Sequence, residues 1–228
     1  MYSSSGANRE RMTQFSLLLA SASPRRRQLI KQLGLPVEVA VSPIDEDAIQ
    51  AHYVGLVEEF AEWTARQKVV GALTLPEAEG RLVIGADTTV ILNRGILGKP
   101  RDAAHAYELL AALRGRWHQV ITGLVVAGVQ AREWRVVSES CTTPVLMRPY
   151  SDAEIEDYIA SGDPLDKAGA YGIQHPQFQP TERIAGCYLN VVGLPLCTLS
   201  RLLAQFGCTL DAKEHPKRAC RWSERCLI

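Results

Sequence analysis

Short apolar segments alternate with helical patterns along this chain, and that order constrains its fold more than any other feature. The segment 16–20 predicts a short buried strand, and 37–41 and 81–86 have the same strand-like character. Two longer segments, 118–129 and 132–147, predict a pair of antiparallel strands. Mixed strands and helices in this order predict an α/β fold, with a mixed, twisted sheet flanked by helices.

Helix start and stop signals lie between these strand candidates. Ser23 is a favourable N-cap, Pro24 suits the first helical position and Gly34 is a natural stop, so the first strand leads directly into a helix. Asp102 and Ser151 are N-caps of the same kind. Further helices are predicted over 56–73, 102–113, 151–162 and 194–206, with a hairpin turn at 93–95.

Composition excludes several classes of protein. Among the 228 residues, Lys+Arg and Asp+Glu both number 25, so the net charge gives no support for binding nucleic acid or an anionic membrane. No apolar run is long enough to span a bilayer, and the polar N-terminus lacks the apolar core of a signal peptide. We therefore expect a cytoplasmic protein. None of the six cysteines forms a C-x-x-C pair, so reduced thiols are expected instead of a zinc site.

Three parts are predicted along the chain. Residues 1–15 are polar and are expected to form a flexible N-terminal extension. Residues 16–206 contain all the strand and helix patterns and are expected to form one domain. The short, charged, Cys-bearing segment 207–228 has no clear apolar face and is interpreted as a C-terminal tail.

Arginines are concentrated where the first helix begins. Arg25, Arg26 and Arg27 lie in its first turn, beside the partial positive charge of the helix N-terminus. A bound anion would reverse this unfavourable arrangement, because free N–H groups, the Ser21 and Ser23 hydroxyls and guanidinium groups can together hold a phosphate. The alternative is that the arginines extend into solvent or pair with acids elsewhere, and this segment alone leaves both open.

Carboxylates follow two of the strand candidates. Asp87 interrupts an apolar run, and a buried carboxylate has to be paired, bound to a metal or placed at a strand end. We expect it at a strand end, facing the crevice beside the Ser21–Arg25 turn. Asp45, Glu46 and Asp47 follow another strand and could supply oxygen ligands to Mg²⁺ or Mn²⁺. For Asp87 the alternative is an aspartate that caps a turn, and for residues 45–47 it is a solvated acidic loop.

Two lysines and a glutamine lie in glycine-bounded turns. Lys99 in GKPRD and Lys167 in DKAGAYGIQ are suited to point contacts with phosphate, although each taken alone could equally be a surface lysine. Gln174 ends the second motif. Its amide can present one donor and one acceptor side by side, which matches the N3–H and O4 edge of uracil or thymine.

Five motifs stand in order along the chain: SASPRR (21–26), VIGADTTV (83–90), ILGKPRD (96–102), SGDPLDKAGAYGIQ (161–174) and NVVGLPL (190–196). Together they resemble the Maf family of nucleotide pyrophosphatases, over about residues 16–206. The resemblance implies an α/β/α fold similar to that of inosine triphosphate pyrophosphatase, with a deep cleft. It also implies metal-dependent cleavage between the α and β phosphates of a nucleoside triphosphate, by a protein that forms a homodimer.

The same resemblance implies a role for each motif residue. Asp87 matches the acidic residue that activates water, and with Glu46 it would hold the divalent metal, Mg²⁺ or Mn²⁺. The residues that match phosphate-binding positions are Ser23, Arg25, Arg26, Lys99 and Lys167. The positions associated with base preference are Arg25, Thr88 and Gln174, in the form found in the subgroup that acts on dTTP and UTP.

The chain departs from the family pattern at two places. His175-Pro176-Gln177-Phe178 stands where the family has a glycine and a flexible loop, and Gln67-Lys68 stands where it has Glu-Lys. Two other functions stay open at this point. One is a nucleotide-binding regulator of cell division without turnover, and the other is the same enzyme class with a preference for 7-methyl-GTP or a deaminated purine.

Overall fold

A computed structural model describes residues 15–130 and 132–209. Within these ranges, seven strands form one mixed sheet, which confirms the predicted α/β fold. The strands are β1 (Leu17–Ala20), β2 (Val37–Ala40), β3 (Leu82–Leu92), β4 (Gly95–Leu97), β5 (Trp117–Gln130), β6 (Glu133–Met147) and β7 (Thr181–Ile184). Their order is β2-β1-β3-β5-β6-β7, with β4 beside β3. β1 is parallel to β2 and β3, and the other pairs are antiparallel.

The helices are α1 (Pro24–Ile30), α2 (Glu46–Ala51), α3 (Phe60–Ala72), α4 (Ala103–Leu113), α5 (Asp152–Ala160), α6 (Tyr188–Val192) and α7 (Leu196–Ala204). The predicted caps are confirmed, since Ser23, Asp102 and Ser151 each accept a hydrogen bond from the third residue of their helix. The helix predicted over 56–73 begins later, at Phe60, which is the first buried residue of that segment. The sequence did not predict α2, α6 or β7.

Helix α3 lies directly on β3 and β5 because both strands have a glycine beneath it. A Cβ atom on Gly85 would come within 2.5 Å of the Ala65 carbonyl oxygen, and one on Gly123 would overlap the backbone of α3 at Glu62. Any side chain at either position would push the helix away from the sheet. This close approach places the inner face of α3 against the middle of β3.

Two hydrophobic clusters pack on the opposite face of the sheet. The first joins α1 and α7 to Ile84 and Ala86 of β3, and the second joins α4 and α5 to Val90 and Leu92. Thr88 lies between the two clusters, because side chains alternate along a strand. The two groups of helices therefore leave a space above the middle of β3.

One edge of β3 is interrupted at the same place. β1 pairs with β3 as far as Gly85, and β4 pairs with it from Val90 onwards. Among the described residues, no strand pairs with this edge between those two positions. Asp87 and Thr88 lie in the gap, so side chains from both faces of the sheet can reach one space.

The described part of the chain includes little of the predicted extension and tail. Phe15 packs against the first hydrophobic cluster, and Cys208, at the start of the predicted tail, is only 1% exposed within it. The rest of the extension and the tail beyond Thr209 lies outside the described residues. No helix in the described ranges has the length and apolar character needed to cross a membrane.

Candidate active site

A cavity of about 560 Å³ opens at the interrupted edge of β3. This volume lies in the range of small-molecule sites. The cavity is lined by all the candidate site residues: Ser23, Arg25, Arg26, Glu46, Asp87, Thr88, Lys99, Lys167 and Gln174. Asp45, in contrast, accepts a hydrogen bond from the Ala48 backbone N–H, as the first residues of α2 require. The Asp45 side chain therefore caps the start of α2 and is not among the residues that line the cavity.

Asp87 forms an ion pair with Lys68, and the sequence did not predict this pairing. The Lys68 ammonium lies 2.7 Å from Asp87 Oδ1 and 3.0 Å from Glu46 Oε2. The expected position of Asp87 at a strand end is wrong, because β3 continues through it to Leu92. Its carboxylate is tolerated inside a strand because Lys68 supplies the opposite charge. We call Glu46, Lys68 and Asp87 the Lys68 cluster.

A signal for Lys68 is present in the sequence. The buried positions of α3 follow helical spacing and are Phe60, Ala61, Thr64, Ala65, Lys68, Val69 and Ala72. Lys68 is only 5% exposed, and a lysine on the buried face of a helix needs an acidic partner. The departure at Gln67, in contrast, falls on a residue that does not line the cavity.

The Lys68 cluster offers a divalent cation two carboxylates. Among the described residues, no group of three or more His, Cys, Asp or Glu side chains is placed to hold a metal. Magnesium commonly binds through one or two carboxylates, several waters and the phosphates of a substrate. Glu46 and Asp87 could supply two ligands to such a cation, and water or phosphate oxygens would have to supply the others.

Arg26 connects three elements around the cavity. Its Nε donates to the Gly193 carbonyl at 2.8 Å and its Nη2 donates to Thr88 Oγ1 at 2.9 Å. Thr88 Oγ1 also lies 2.9 Å from Thr122 Oγ1. Burial lowers the pKa of Arg26, and the charges of Asp87 and Glu46 oppose that shift. The guanidinium thus fixes the start of α1 against β3 and the end of α6.

Lys167 is held closely by its own turn. Its ammonium donates to the Asp163 carbonyl at 2.6 Å, to Asp163 Oδ1 at 2.9 Å and to Asp166 Oδ1 at 2.7 Å. The Tyr158 hydroxyl donates to Asp163 Oδ2 at 2.6 Å. Burial alone would raise the pKa of Asp163, but the bonds from Tyr158 and Lys167 hold it below its usual value.

The segment after Gln174 is packed against the body of the protein. Phe178 is buried and its ring stacks on Tyr158, with 4.2 Å between the ring centroids. His175 Nδ1 accepts a hydrogen bond from the Phe178 backbone N–H at 3.0 Å. Gln174 is exposed at the cavity, and its side chain forms a hydrogen bond with Tyr188. Of the residues that depart from the family pattern, His175 and Pro176 thus line the cavity, and Phe178 packs behind them.

The model of the family described as "Maf-like protein" matches residues 16–206. The chain belongs to the Maf-like protein family. Three bacterial relatives carry the name dTTP/UTP pyrophosphatase. The protein of Thermomicrobium roseum is 45% identical, over 84% of each chain. That of Symbiobacterium thermophilum is 45% identical, over 84% of this chain and 94% of its own. That of Dehalococcoides mccartyi strain CBDB1 is 41% identical, over 90% of this chain and 86% of its own.

The motif residues of this Maf-like chain come from separate elements that meet only in the folded state. Arg25 and Arg26 belong to α1, Asp87 and Thr88 to β3, and Gln174 to the segment after the turn of Lys167. Their convergence on one cavity is a property of the fold. The fold therefore explains how motifs that are far apart in the sequence can serve one site.

Proposed function

We propose that this protein hydrolyses nucleoside triphosphates to the monophosphate and pyrophosphate, with dTTP and UTP as its substrates. The observation that carries the proposal is the convergence of an acid, several cations and a base-reading amide on one cavity. Membership of the Maf-like family supports it, as do the names of the relatives. The reaction class and the base preference are tested separately below.

The cations at the cavity would bind the triphosphate. Arg25 lines the cavity and can present its guanidinium to phosphate oxygens, and the exposed Lys99 can add a point charge. Ser23 and Arg26 lie beside them at the start of α1. Positive groups around the phosphates stabilise the charge that develops in phosphoryl transfer.

Asp87 would act on the attacking water. Its carboxylate is 15% exposed, and Lys68 holds one oxygen while the other can accept a proton from water. Glu46 and Asp87 would hold a divalent cation, Mg²⁺ or Mn²⁺, which when bound neutralises phosphate charge and polarises a phosphoryl oxygen. Attack on the α-phosphorus in line with the leaving group then releases pyrophosphate.

Gln174 would select the base. Its amide is exposed at the cavity and can pair with the N3–H and O4 edge of uracil or thymine. Thr88 and Arg25 would complete the recognition of the nucleoside. Cytosine has its donor and acceptor exchanged at this edge, so a site that holds the amide in the orientation that fits uracil disfavours cytosine.

The experiment is release of pyrophosphate with Mg²⁺ or Mn²⁺ from dTTP, UTP, 5-methyl-UTP, pseudo-UTP, CTP, GTP, 7-methyl-GTP and ITP. Selective turnover of the uracil and thymine compounds is the expected result. Turnover of 7-methyl-GTP or ITP instead would retain the reaction and overturn the base preference. Binding of nucleotide without any turnover would favour the regulatory function.

Three further expectations stay predictions. They are a cytoplasmic location, a homodimer and the absence of a nucleic-acid partner. Light scattering of the purified chain would give its oligomeric state. Titration with labelled duplex DNA and RNA at low salt would detect electrostatic binding, which the zero net charge disfavours.

A further inference from the structure

The Lys167 ammonium has no donor left for a substrate. An ammonium carries three N–H donors, and the Asp163 carbonyl, the Asp163 carboxylate and the Asp166 carboxylate accept one each. Lys167 is only 9% exposed. A phosphate could bind this ammonium only by displacing one of these close acceptors. The arrangement therefore differs from that of Lys99, whose side chain is exposed at the cavity.

A continuous path of hydrogen bonds leads from Lys167 to the backbone before Gln174. Asp163 accepts from Lys167 through Oδ1 and from the Tyr158 hydroxyl through Oδ2. The same hydroxyl accepts a hydrogen bond from the Gly172 N–H at 2.8 Å. We call Tyr158, Asp163, Asp166, Lys167 and Gly172 the Lys167 network.

The backbone at Gly172 is in close contact with this network. A Cβ atom there would lie 2.9 Å from Lys167 Cε and 3.0 Å from Asp163 Oδ2. The Tyr158 ring is in turn fixed from two sides, because Phe178 stacks on it and the His175 ring packs edge-on against it at 4.8 Å. The chain is thus held both before and after Gln174.

We propose that Lys167 is a positioning residue and not a phosphate contact. With Asp163 and Tyr158 it fixes the backbone at Gly172, and so sets the place from which the Gln174 amide reads the base. The proposal rests on the proposed function, since it assigns a task to the turn that precedes the base-reading residue. It gives Lys167 and Lys99 different roles, although both lie in similar glycine-bounded turns.

The two roles differ in what they predict for a set of ligands. Loss of a phosphate contact weakens binding more as the phosphate chain becomes longer, because the missing charge faces more negative charge. Loss of a positioning residue reduces discrimination between bases and acts alike on UMP, UDP and UTP. Affinities for these three ligands and for CMP, together with kcat/KM for UTP and CTP, separate the roles.

The variants are Lys167→Met and Tyr158→Phe, with Lys99→Met as the comparator for a phosphate contact. Tyr150→Phe is the matched control, because the buried Tyr150 hydroxyl donates to the Leu110 carbonyl away from the cavity. Tyr158→Phe keeps the ring that stacks on Phe178 and removes only the hydroxyl. Thermal melting of each variant records whether it folds.

We expect Lys167→Met and Tyr158→Phe each to lower the UTP-to-CTP ratio of kcat/KM by about fivefold, the factor that one neutral hydrogen bond is worth. The double variant should lose no more than the larger single loss, because both act through one network. Lys99→Met should leave the ratio unchanged, and its loss of affinity should grow from UMP to UTP. Tyr150→Phe should change neither quantity.

An unchanged base ratio in Tyr158→Phe would overturn the proposal, as would a Lys167→Met loss that grows with phosphate number. If Lys167→Met does not fold, Tyr158→Phe decides alone. If the wild type releases no pyrophosphate, the proposed function fails, and the UMP-to-CMP ratio of affinities still tests the positioning role. A wild type that binds UMP and CMP equally would overturn it too.

Discussion

Two buried lysines line this cavity and have similar ionic partners, but those partners come from different parts of the chain. Lys68 and Lys167 each pair with two carboxylates. The acids of Lys68 belong to α2 and β3, far from it in sequence, whereas the acids of Lys167 belong to its own turn. The Lys68 cluster therefore forms only when the tertiary fold is complete, and the Lys167 network can form locally.

The two groups also differ in which hydrogen-bond partners surround their charged side chains. In the Lys68 cluster the Glu46 side chain is 52% exposed, so a ligand can approach the carboxylates from the cavity. In the Lys167 network the Asp166 side chain is also exposed, at 69%, but Tyr158 and a main-chain carbonyl occupy the remaining positions around Asp163 and the ammonium. Burial and charge alone thus do not identify a catalytic group. The origin of the partners, and whether the ammonium and its buried acid have other hydrogen-bond partners, separate the two cases.

The largest expected effect comes from Asp87→Asn. Loss of a general base costs about 10²- to 10⁴-fold in rate, so kcat should fall by about a thousandfold while nucleotide affinity changes by about threefold at most. Pyrophosphate release and calorimetric binding measure the two quantities. Asp163→Asn is the comparator and should lower kcat by less than about tenfold, because Asp163 holds Lys167 and Tyr158 and does not act on the attacking water. Equal losses in both variants would remove the distinction between the two groups.

Stability at acid pH tests the buried pair of His118 and Tyr171. His118 Nε2 lies 2.7 Å from the hydroxyl of Tyr171, which lines the cavity, and burial lowers the pKa of His118 to about 4. In the unfolded chain this pKa is near 6.5, so the unfolded state takes up the proton first as the pH falls. The stabilising contribution is therefore present above pH 6.5 and is lost between about pH 6.5 and pH 4, by about 3 kcal/mol.

Urea unfolding of the wild type and of His118→Gln at several pH values between 7.5 and 4 measures this contribution. The difference in free energy of unfolding between the two proteins should change by about 3 kcal/mol in favour of the variant as the pH falls. Other groups that titrate in this range affect both proteins alike. Parallel curves would mean that His118 carries no such linkage.

Exchange of each lysine for methionine compares the two groups directly. Lys68→Met removes a charge-assisted hydrogen bond to Asp87, worth about 2 kcal/mol, so kcat should fall about thirtyfold for every nucleotide. Lys167→Met should instead change the preference between bases, because its partners lead to Gly172. Steady-state kinetics with UTP and CTP distinguish a uniform loss from a selective one. A selective loss in Lys68→Met would contradict the assignment.

Local signals account for the parts of the fold that the sequence predicted. The start of α1 depends on Ser23 and Pro24, which act within one turn of the helix. The long strand β5 was predicted because its apolar and β-branched residues are nearly contiguous, and β6 because it is rich in valine and threonine. β7 is a short edge strand with two exposed charged residues, Glu182 and Arg183, so it lacks any apolar pattern.

The motifs predicted which residues form the candidate site. They did not predict the ion pairs within it. Asp87 stands out in the sequence because it interrupts an apolar run. Its bond to Lys68 depends on where α3 crosses β3, and that depends on close approach at Gly85 and Gly123. The gap at the edge of β3 likewise could be predicted only from the order of the strands in the sheet. Pairing between distant elements is not contained in any one motif.

The smallest expected effect concerns the helix that carries Tyr158. Ser151 and Glu154 form a capping box at the start of α5, and Glu154 also pairs with Arg148. Ser151→Ala removes the cap and should lower the free energy of unfolding by about 1 kcal/mol, measured by urea unfolding.

The kinetic constants of Ser151→Ala should change little. The Lys68 cluster depends on α3, so kcat for UTP should stay the same. The UTP-to-CTP ratio should also stay within about twofold, because Tyr158 lies near the other end of α5 and the loss of a cap acts mainly on the first turn. A larger fall in that ratio would show that the whole of α5, and not only its last turn, positions the base-reading segment.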